Sequence, residues 1–210
     1  MDSDATTKAY FIEAYFDKLQ ERIAFLHELH AEERECEALM LCCCYIEALG
    51  SRELTGLDLK AKNYCAILSE EGDNKIWRLI HPKQLKKVLS TNGLFKEQFN
   101  TFEPVIDDYG PQLIEPQELL ARLEPSLDEK QRSWLQDNIF KGSMAMISYE
   151  RIRCELVHDI DAETSISFSE TTYNGNPVPI LDFEALYSSL KKIVAASQKK
   201  AVSSNKFWYE

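Results

Sequence analysis

The chain has 210 residues, 44% of them hydrophobic and 28% charged, and a formal net charge of −11 at pH 7. These proportions are ordinary for a globular protein with one sizeable core, and the excess of carboxylates works against coating DNA or a membrane surface. The N-terminus is acidic, and no run of 18 apolar residues occurs. We therefore expect neither a secretory signal nor a membrane-spanning helix.

Two amphipathic helices are predicted over residues 6–49. In the first, from Thr6 to about Ala31, apolar residues recur at spacings of three and four, which is typical of a helix with one buried face. These residues are Phe11, Tyr15, Leu19, Ile23, Leu26 and Leu29. The second, from Glu35 to Leu49, is apolar on nearly all sides, so we expect it at the centre of a bundle and ending at Gly50.

Glu47 is the residue that does not fit this apolar helix. A buried carboxylate must be paired or protonated, and Arg151 or Arg153 would be a natural partner. A plain ion pair in the core, or an exposed position at its edge, competes with an accessory role in a functional site.

Residues 51–125 are less regular and are predicted to pack on the bundle as a helical elaboration. The aromatic residues of this region could stack on RNA bases, and Lys83, Lys86, Lys87 and Lys96 nearby could bind phosphates. Core packing beneath a solvated basic face explains the same residues, and we favour that interpretation.

The segment 126–200 is predicted to hold a long helix capped by Ser126, a β-hairpin and a closing helix. Alternation over 164–173, the turn Tyr173–Pro177 and a return strand over 178–181 indicate the hairpin. The closing helix runs from Asp182 to about Gln198, and 201–210 forms a tail with three aromatic residues near its end. We therefore expect a mostly α fold in a single domain, 1–210.

Six cysteines lie within the helical patterns, without the spacing of a metal site. They are interpreted as small buried apolar residues of a protein in the reducing cytoplasm, and we expect neither a metal nor another cofactor. His27 and His30 lie on one helix face with metal-compatible spacing, but a solvated face is the favoured interpretation.

The stretch from Ser148 to Asp159 carries the residues with the clearest chemistry. Arg151 and Arg153 precede His158 by seven and five positions. A guanidinium group forks onto phosphate oxygens, and an imidazole can give and take a proton near neutral pH. These groups are sufficient to cleave RNA without a metal ion. Arg22 and His27 have the same bare spacing, but there the sequence continues as plain amphipathic helix.

The sequence around Arg153 and His158 resembles the Arg-x4-6-His signature of the HEPN superfamily. The matching residues are Tyr149, Glu150, Arg153, Cys154, Leu156, Val157 and His158. The family often has Asn or Asp directly after the Arg, where this chain has Cys154. The resemblance implies an all-helical bundle and the activity of many members, which are ribonucleases of prokaryotic conflict systems. It also implies a homodimer in which two motifs face each other at a two-fold interface.

Helix geometry leaves the choice of arginine open. At about 100° per residue, Arg153 and His158 lie roughly 140° apart, whereas Arg151 and His158 lie about 20° apart. Either the helix breaks before His158 or the site is completed across a dimer, with Arg151 as the alternative partner.

The function predicted from these residues is a metal-independent endoribonuclease of a prokaryotic defence or toxin system. His158 would move the proton, Arg153 and Arg151 would stabilise charge on the phosphate, and Glu47, Tyr149, Cys154 and Asp159 would be accessory. Its partners would be RNA, a second copy of the chain and an antitoxin or other regulatory protein, with no membrane.

Two other interpretations compete with the nuclease. One is a catalytically silent HEPN-like module that binds a nucleotide, an RNA or a protein through the same pocket. The other is an unrelated helical interaction protein in which Arg151 and Arg153 merely pair with Glu155 or Glu47.

Overall fold

Helices make up most of the structure, a computed structural model that describes residues 2–53, 60–154, 171–177 and 183–207. The α-helices are α1 (Asp2–Ala31), α2 (Glu35–Glu53), α3 (Lys60–Glu71), α4 (Pro82–Thr91), α5 (Phe99–Asp107), α6 (Pro116–Leu123), α7 (Glu129–Asn138), α8 (Met144–Ile147) and α9 (Phe183–Ser204). Short 3-10 turns span Lys75–Arg78, Glu124–Ser126 and Ile139–Gly142, and a π-helix spans Ser148–Cys154. The predicted mostly α fold class is confirmed.

The described residues divide into two compact units. The first contains 2–53, 60–74, 152–154 and 183–207, and the second contains 75–151 and 171–177. The single domain over 1–210 stays a prediction. Within the described part of the chain, no helix is both long enough and apolar enough to cross a lipid bilayer.

The core of the first unit lies where α1, α2, α3 and α9 pack together. The residues that α1 buries are Ile12, Phe16, Leu19, Ile23, Leu26 and Leu29. The predicted stripe was wrong at its start, since Phe11 is 55% exposed and Tyr15 is half-buried. Aromatic residues occupy both candidate rows in this part of α1, so the spacing alone could not choose between them.

Helix α2 lies at the centre of this unit, as predicted, and contacts α1, α3 and α9. The prediction that it ends at Gly50 was wrong, because the helix continues to Glu53. A Cβ atom at Gly50 would lie 2.8 Å from the backbone oxygen of Asn63, so this glycine permits a close approach of α3. The cysteines follow the prediction in part: Cys42, Cys43 and Cys65 are buried, Cys154 is half-buried, and Cys36 and Cys44 are exposed.

The second unit has its own apolar core, with Leu85, Phe95, Phe102 and Leu119 among its fully buried members. An extended segment at Leu79–His81 crosses this unit. Ile80 exchanges two backbone hydrogen bonds with Ile114, and the amide of His81 donates to the carbonyl of Gly142 at 2.9 Å.

The long helix predicted to run from Ser126 into the motif was wrong, because the chain is broken between α7 and α8. Asp128, not Ser126, caps α7 in a capping box with Gln131. Gly142 lies at this break, and a Cβ there would meet side-chain atoms of Ile80 and Leu85 at 3.1–3.3 Å, closer than ordinary van der Waals contact. Ser143 then caps α8, accepting a hydrogen bond from the amide of Met146.

The predicted hairpin turn is present in the second unit. Strand β1 (Thr172–Tyr173) pairs antiparallel with β2 (Asn176–Pro177), and Asn174 and Gly175 between them have φ of 50° and 75°. Two consecutive positive φ values are what a tight two-residue hairpin loop requires. The outer parts of the predicted strands, 164–170 and 178–181, lie outside the described residues. The predicted closing helix is present as α9 in the first unit, and its predicted inward residues Phe183, Leu186, Leu190, Ile193 and Val194 are all buried. Its predicted end near Gln198 was wrong, because the helix continues to Ser204, into the predicted tail.

Candidate functional site

The motif begins on the π-helix, Ser148–Cys154, which carries four of the predicted site residues. These are Tyr149, Arg151, Arg153 and Cys154, whereas His158 and Asp159 lie outside the described residues. A π-helix turns less per residue than an α-helix, so the α-helical angles used above do not hold over this stretch. Wider turns of this kind occur often at functional sites.

Glu47 forms the ion pair that its place in α2 called for, and the partner is Arg153. The Nε of Arg153 donates to Oε2 of Glu47 at 2.6 Å, and the two side chains are only 19% and 11% exposed. The ammonium of Lys60, 4.0 Å from the other carboxylate oxygen, is a more distant and exposed second cation. One motif arginine is therefore held by a nearly buried carboxylate in the first unit.

Two thiols of α2, Cys42 and Cys43, are buried, and Cys43 lies near Arg153. Burial raises the pKa of Cys43 to about 12, while the hydrogen bond donated by the Tyr64 hydroxyl at 3.5 Å and the charge of Arg153 act in the opposite direction. Burial likewise raises the pKa of Cys42. Both thiols are therefore protonated at neutral pH and serve as apolar packing, not as nucleophiles.

Glu150 is one of the residues that resemble the HEPN signature. Within the second unit it is bound by Gln84, which no sequence pattern had indicated as a site residue. The buried amide of Gln84 donates to Oε2 of Glu150 at 2.9 Å and to the carbonyl of Lys141 at 3.4 Å. Gln84 belongs to α4, far away in the sequence, so no local pattern could have indicated this contact. Arg151 belongs to this second unit, whereas Arg153 belongs to the first.

The earlier match to the spacing, Arg22 to His27, lies on α1, and its histidine packs against α9. His27 lies 5.7 Å from the ring of Tyr187, and His30 stacks on Phe183 with ring centroids 4.4 Å apart. Within the described ranges, no three His, Cys, Asp or Glu side chains come together as metal ligands would.

The lysines proposed as a basic face in the second unit are partly neutralised. Lys86 pairs with Asp107 at 2.8 Å and Glu103 at 2.9 Å, and hydrogen bonds to these carboxylates raise its pKa. Lys83, Lys87 and Lys96 are exposed.

We compared the chain with protein-family models, curated proteins and solved structures, and found no match in any of them. Membership of the HEPN superfamily thus stays a prediction that depends on the motif residues.

Proposed function

We propose that the chain is a metal-independent endoribonuclease of the HEPN type that acts as a homodimer in a prokaryotic defence or toxin system. The observation that carries the proposal is the ion pair between Glu47 of α2 and Arg153, which lies on the π-helix where the motif begins. A guanidinium held in one orientation is prepared to bind phosphate oxygens without first losing side-chain freedom.

In this reaction His158 takes the proton of the 2′-hydroxyl and returns a proton to the leaving 5′-oxygen. The 2′-oxygen attacks the phosphorus, the bond to the 5′-oxygen breaks, and a cyclic phosphate remains. Arg153, with Arg151, stabilises the negative charge that builds on the phosphate oxygens, and Glu47 acts as a positioning residue. DNA resists the enzyme because it has no 2′-hydroxyl.

A catalytically silent module is the second candidate, and the same ion pair favours it in one respect. Glu47 offsets the positive charge of Arg153, and the side chain of that arginine is only 19% exposed. An arginine whose charge is neutralised in this way attracts phosphate less strongly than one in an electropositive pocket.

An RNA cleavage assay with excess chelator distinguishes the two candidates. The proposal expects cutting with cyclic-phosphate ends that His158→Ala abolishes and Arg153→Lys reduces by about a hundredfold, since lysine keeps the charge but loses the fork. His27→Ala is the matched control, because it removes the histidine of the earlier spacing match, and it should cut normally. Cutting by His158→Ala at the wild-type rate would overturn the proposal, and no cutting by the wild-type protein would favour the silent module.

A further inference from the structure

A cavity of about 260 Å³ lies between α1 and α2 in the first unit, separate from the Arg153–Glu47 pair. Its walls are Tyr15, Lys18, Leu19, Arg22, Tyr45, Ala48, Leu49 and Arg52. Three of these side chains are cationic, two are tyrosines, and none of the described residues in the wall carries a carboxylate. In a chain with 35 acidic and 24 basic residues, such a wall is electropositive against the overall charge.

Both helices supply this wall with the same spacing of residue types. In α1, Tyr15, Leu19 and Arg22 are the first, fifth and eighth residues of an octet, and Tyr45, Leu49 and Arg52 have the same places in α2. These positions fall on one face of a helix, so each helix presents a tyrosine, a leucine and an arginine to the cavity.

The two octets meet in opposite directions across the cavity. Nη1 of Arg52 donates to the hydroxyl of Tyr15 at 3.3 Å, which brings the last residue of one octet to the first residue of the other. The two leucines form the buried floor, since Leu19 is 5% and Leu49 is 3% exposed.

The charges of the wall are unequally compensated. Lys18 pairs with Glu21 on the surface of α1, and Arg52 is engaged by the Tyr15 hydroxyl. Arg22 has neither a carboxylate partner nor a side-chain hydrogen bond within the described residues. Its guanidinium therefore has donors available for an anion that enters the cavity.

We propose that this pocket binds a small organic phosphate in which the phosphate group is joined to a flat ring. Arg22 and Arg52 bind the phosphate oxygens, because guanidinium forks match them in geometry and charge. Tyr15 and Tyr45 provide faces and edges against which the ring packs over the leucine floor. A cavity of about 260 Å³ lies just below the usual range of ligand sites, about 300–1,000 Å³, which limits the ligand to one ring system and one phosphate.

Calorimetric titration of the full chain with phenyl phosphate and, separately, with inorganic phosphate tests the proposal without any cleavage assay. We expect phenyl phosphate to bind about tenfold tighter than inorganic phosphate, because the ring adds apolar contact. Arg22→Ala and Arg52→Ala should each weaken both ligands about tenfold, the loss of one charge-assisted contact. Tyr45→Leu should weaken phenyl phosphate and leave inorganic phosphate unchanged.

Arg34→Ala is the matched control. Arg34 lies in the short connection that joins α1 to α2, and it pairs with Glu37 outside the pocket. It should bind both ligands as the wild type does. Arg22→Lys guards against a folding defect, since it keeps the charge and the stem and should lose part of the affinity with an unchanged melting temperature. Absence of phenyl phosphate binding, or wild-type affinity in Arg22→Ala, would overturn the proposal whatever the RNA assay gives. Equal affinity for both ligands would overturn the role of the ring.

Discussion

The Arg153–Glu47 ion pair joins a residue of the motif to the central helix of its unit, with little solvent around either group. A pair of this kind adds little net stability, because removing two charges from water costs about as much as their attraction returns. Losing one partner is different, since the remaining charge stays buried and unpaired. The pair therefore fixes position more than it stabilises the fold.

Glu47→Ala should lower the free energy of unfolding by about 2 kcal/mol, and the double variant Glu47→Ala/Arg153→Ala should lose less than the two single losses added together. Urea unfolding of the four proteins in this cycle measures the coupling. The exposed pair Arg122–Asp108, with side chains 45% and 66% exposed, is the matched control and should show no measurable coupling. Additive losses at Glu47 and Arg153 would contradict the prediction.

His81 is buried in the second unit at the start of α4, where its side chain is close to the Thr171 hydroxyl at 3.5 Å. Burial, with a smaller contribution from Lys83, lowers its pKa from 6.5 to about 4. The folded protein therefore holds this imidazole neutral, whereas the unfolded chain takes up a proton at a higher pH.

Between pH 6.5 and about 4 the unfolded chain binds more protons at His81 than the folded protein does. The contribution of His81 to the free energy of unfolding is fully present above this window. It is lost as the pH is lowered through the window, by roughly 3 kcal/mol in all. His81→Gln cannot titrate, so its unfolding free energy should vary less with pH across the window. Urea unfolding at several pH values checks this, and parallel curves for the variant and the wild type would contradict it.

At the scale of the elements, sequence patterns correctly predicted the features that depend on neighbouring residues, such as a tight turn and the buried face of a helix. Asn174 and Gly175 adopt positive φ as their residue types favour, and α9 buries the residues that its spacing indicated. The close packing at Gly142 involves instead Ile80 and Leu85, which come from a distant part of the chain. The sequence predicted that Glu47 needed a cation, but only the fold could choose Arg153.

The glycines illustrate the same limit, because one residue type has different causes at different sites. Gly50 resembles a helix terminator in the sequence, whereas in the structure it lies inside α2 at a close approach of α3. A Cβ atom added at Gly93 would meet no heavy atom of the described residues within 4 Å, so nothing in its surroundings demands glycine.

Gly50→Ala should destabilise the protein by about 2 kcal/mol, although alanine favours a helix interior by about 1 kcal/mol. The new Cβ would lie 2.8 Å from the oxygen of Asn63 and 3.0 Å from Cγ2 of Ile67, so α2 and α3 must move apart. Thermal unfolding of Gly50→Ala and of the control Gly93→Ala provides the measurement. The control should change little, and a Gly50→Ala variant as stable as the wild type would show that the helices separate without cost.

At the scale of the whole molecule, the net charge of −11 limits what the protein binds without a dedicated site. Binding to any nucleic acid through its backbone depends on displacing counterions with Lys and Arg, and here carboxylates outnumber those residues. An anion that approaches a local basic feature, such as the cavity wall that contains Arg22 and Arg52, is therefore repelled by the carboxylates on the rest of the chain. Dissolved salt weakens this repulsion.

Double-stranded DNA of arbitrary sequence should not bind measurably at physiological salt, with a dissociation constant weaker than about 100 µM. Mobility-shift titrations at low and physiological salt check this. A defined RNA in the same assay serves as the comparison, because the proposed nuclease would hold it at one site. A tight DNA complex that persists at physiological salt would contradict the prediction.

In the second unit, the extended segment around Ile80 ties together parts of the chain that are tens of residues apart. Its backbone bonds to Ile114 and Gly142 and, further along, the bond from the amide of Leu113 to the carbonyl of Thr172 each close a long loop. Loop closure costs chain entropy before any of these bonds forms, so such non-local contacts raise the contact order of the unit and slow its folding. The amide protons of Ile80 and Ile114 should accordingly exchange with solvent only when the unit opens as a whole.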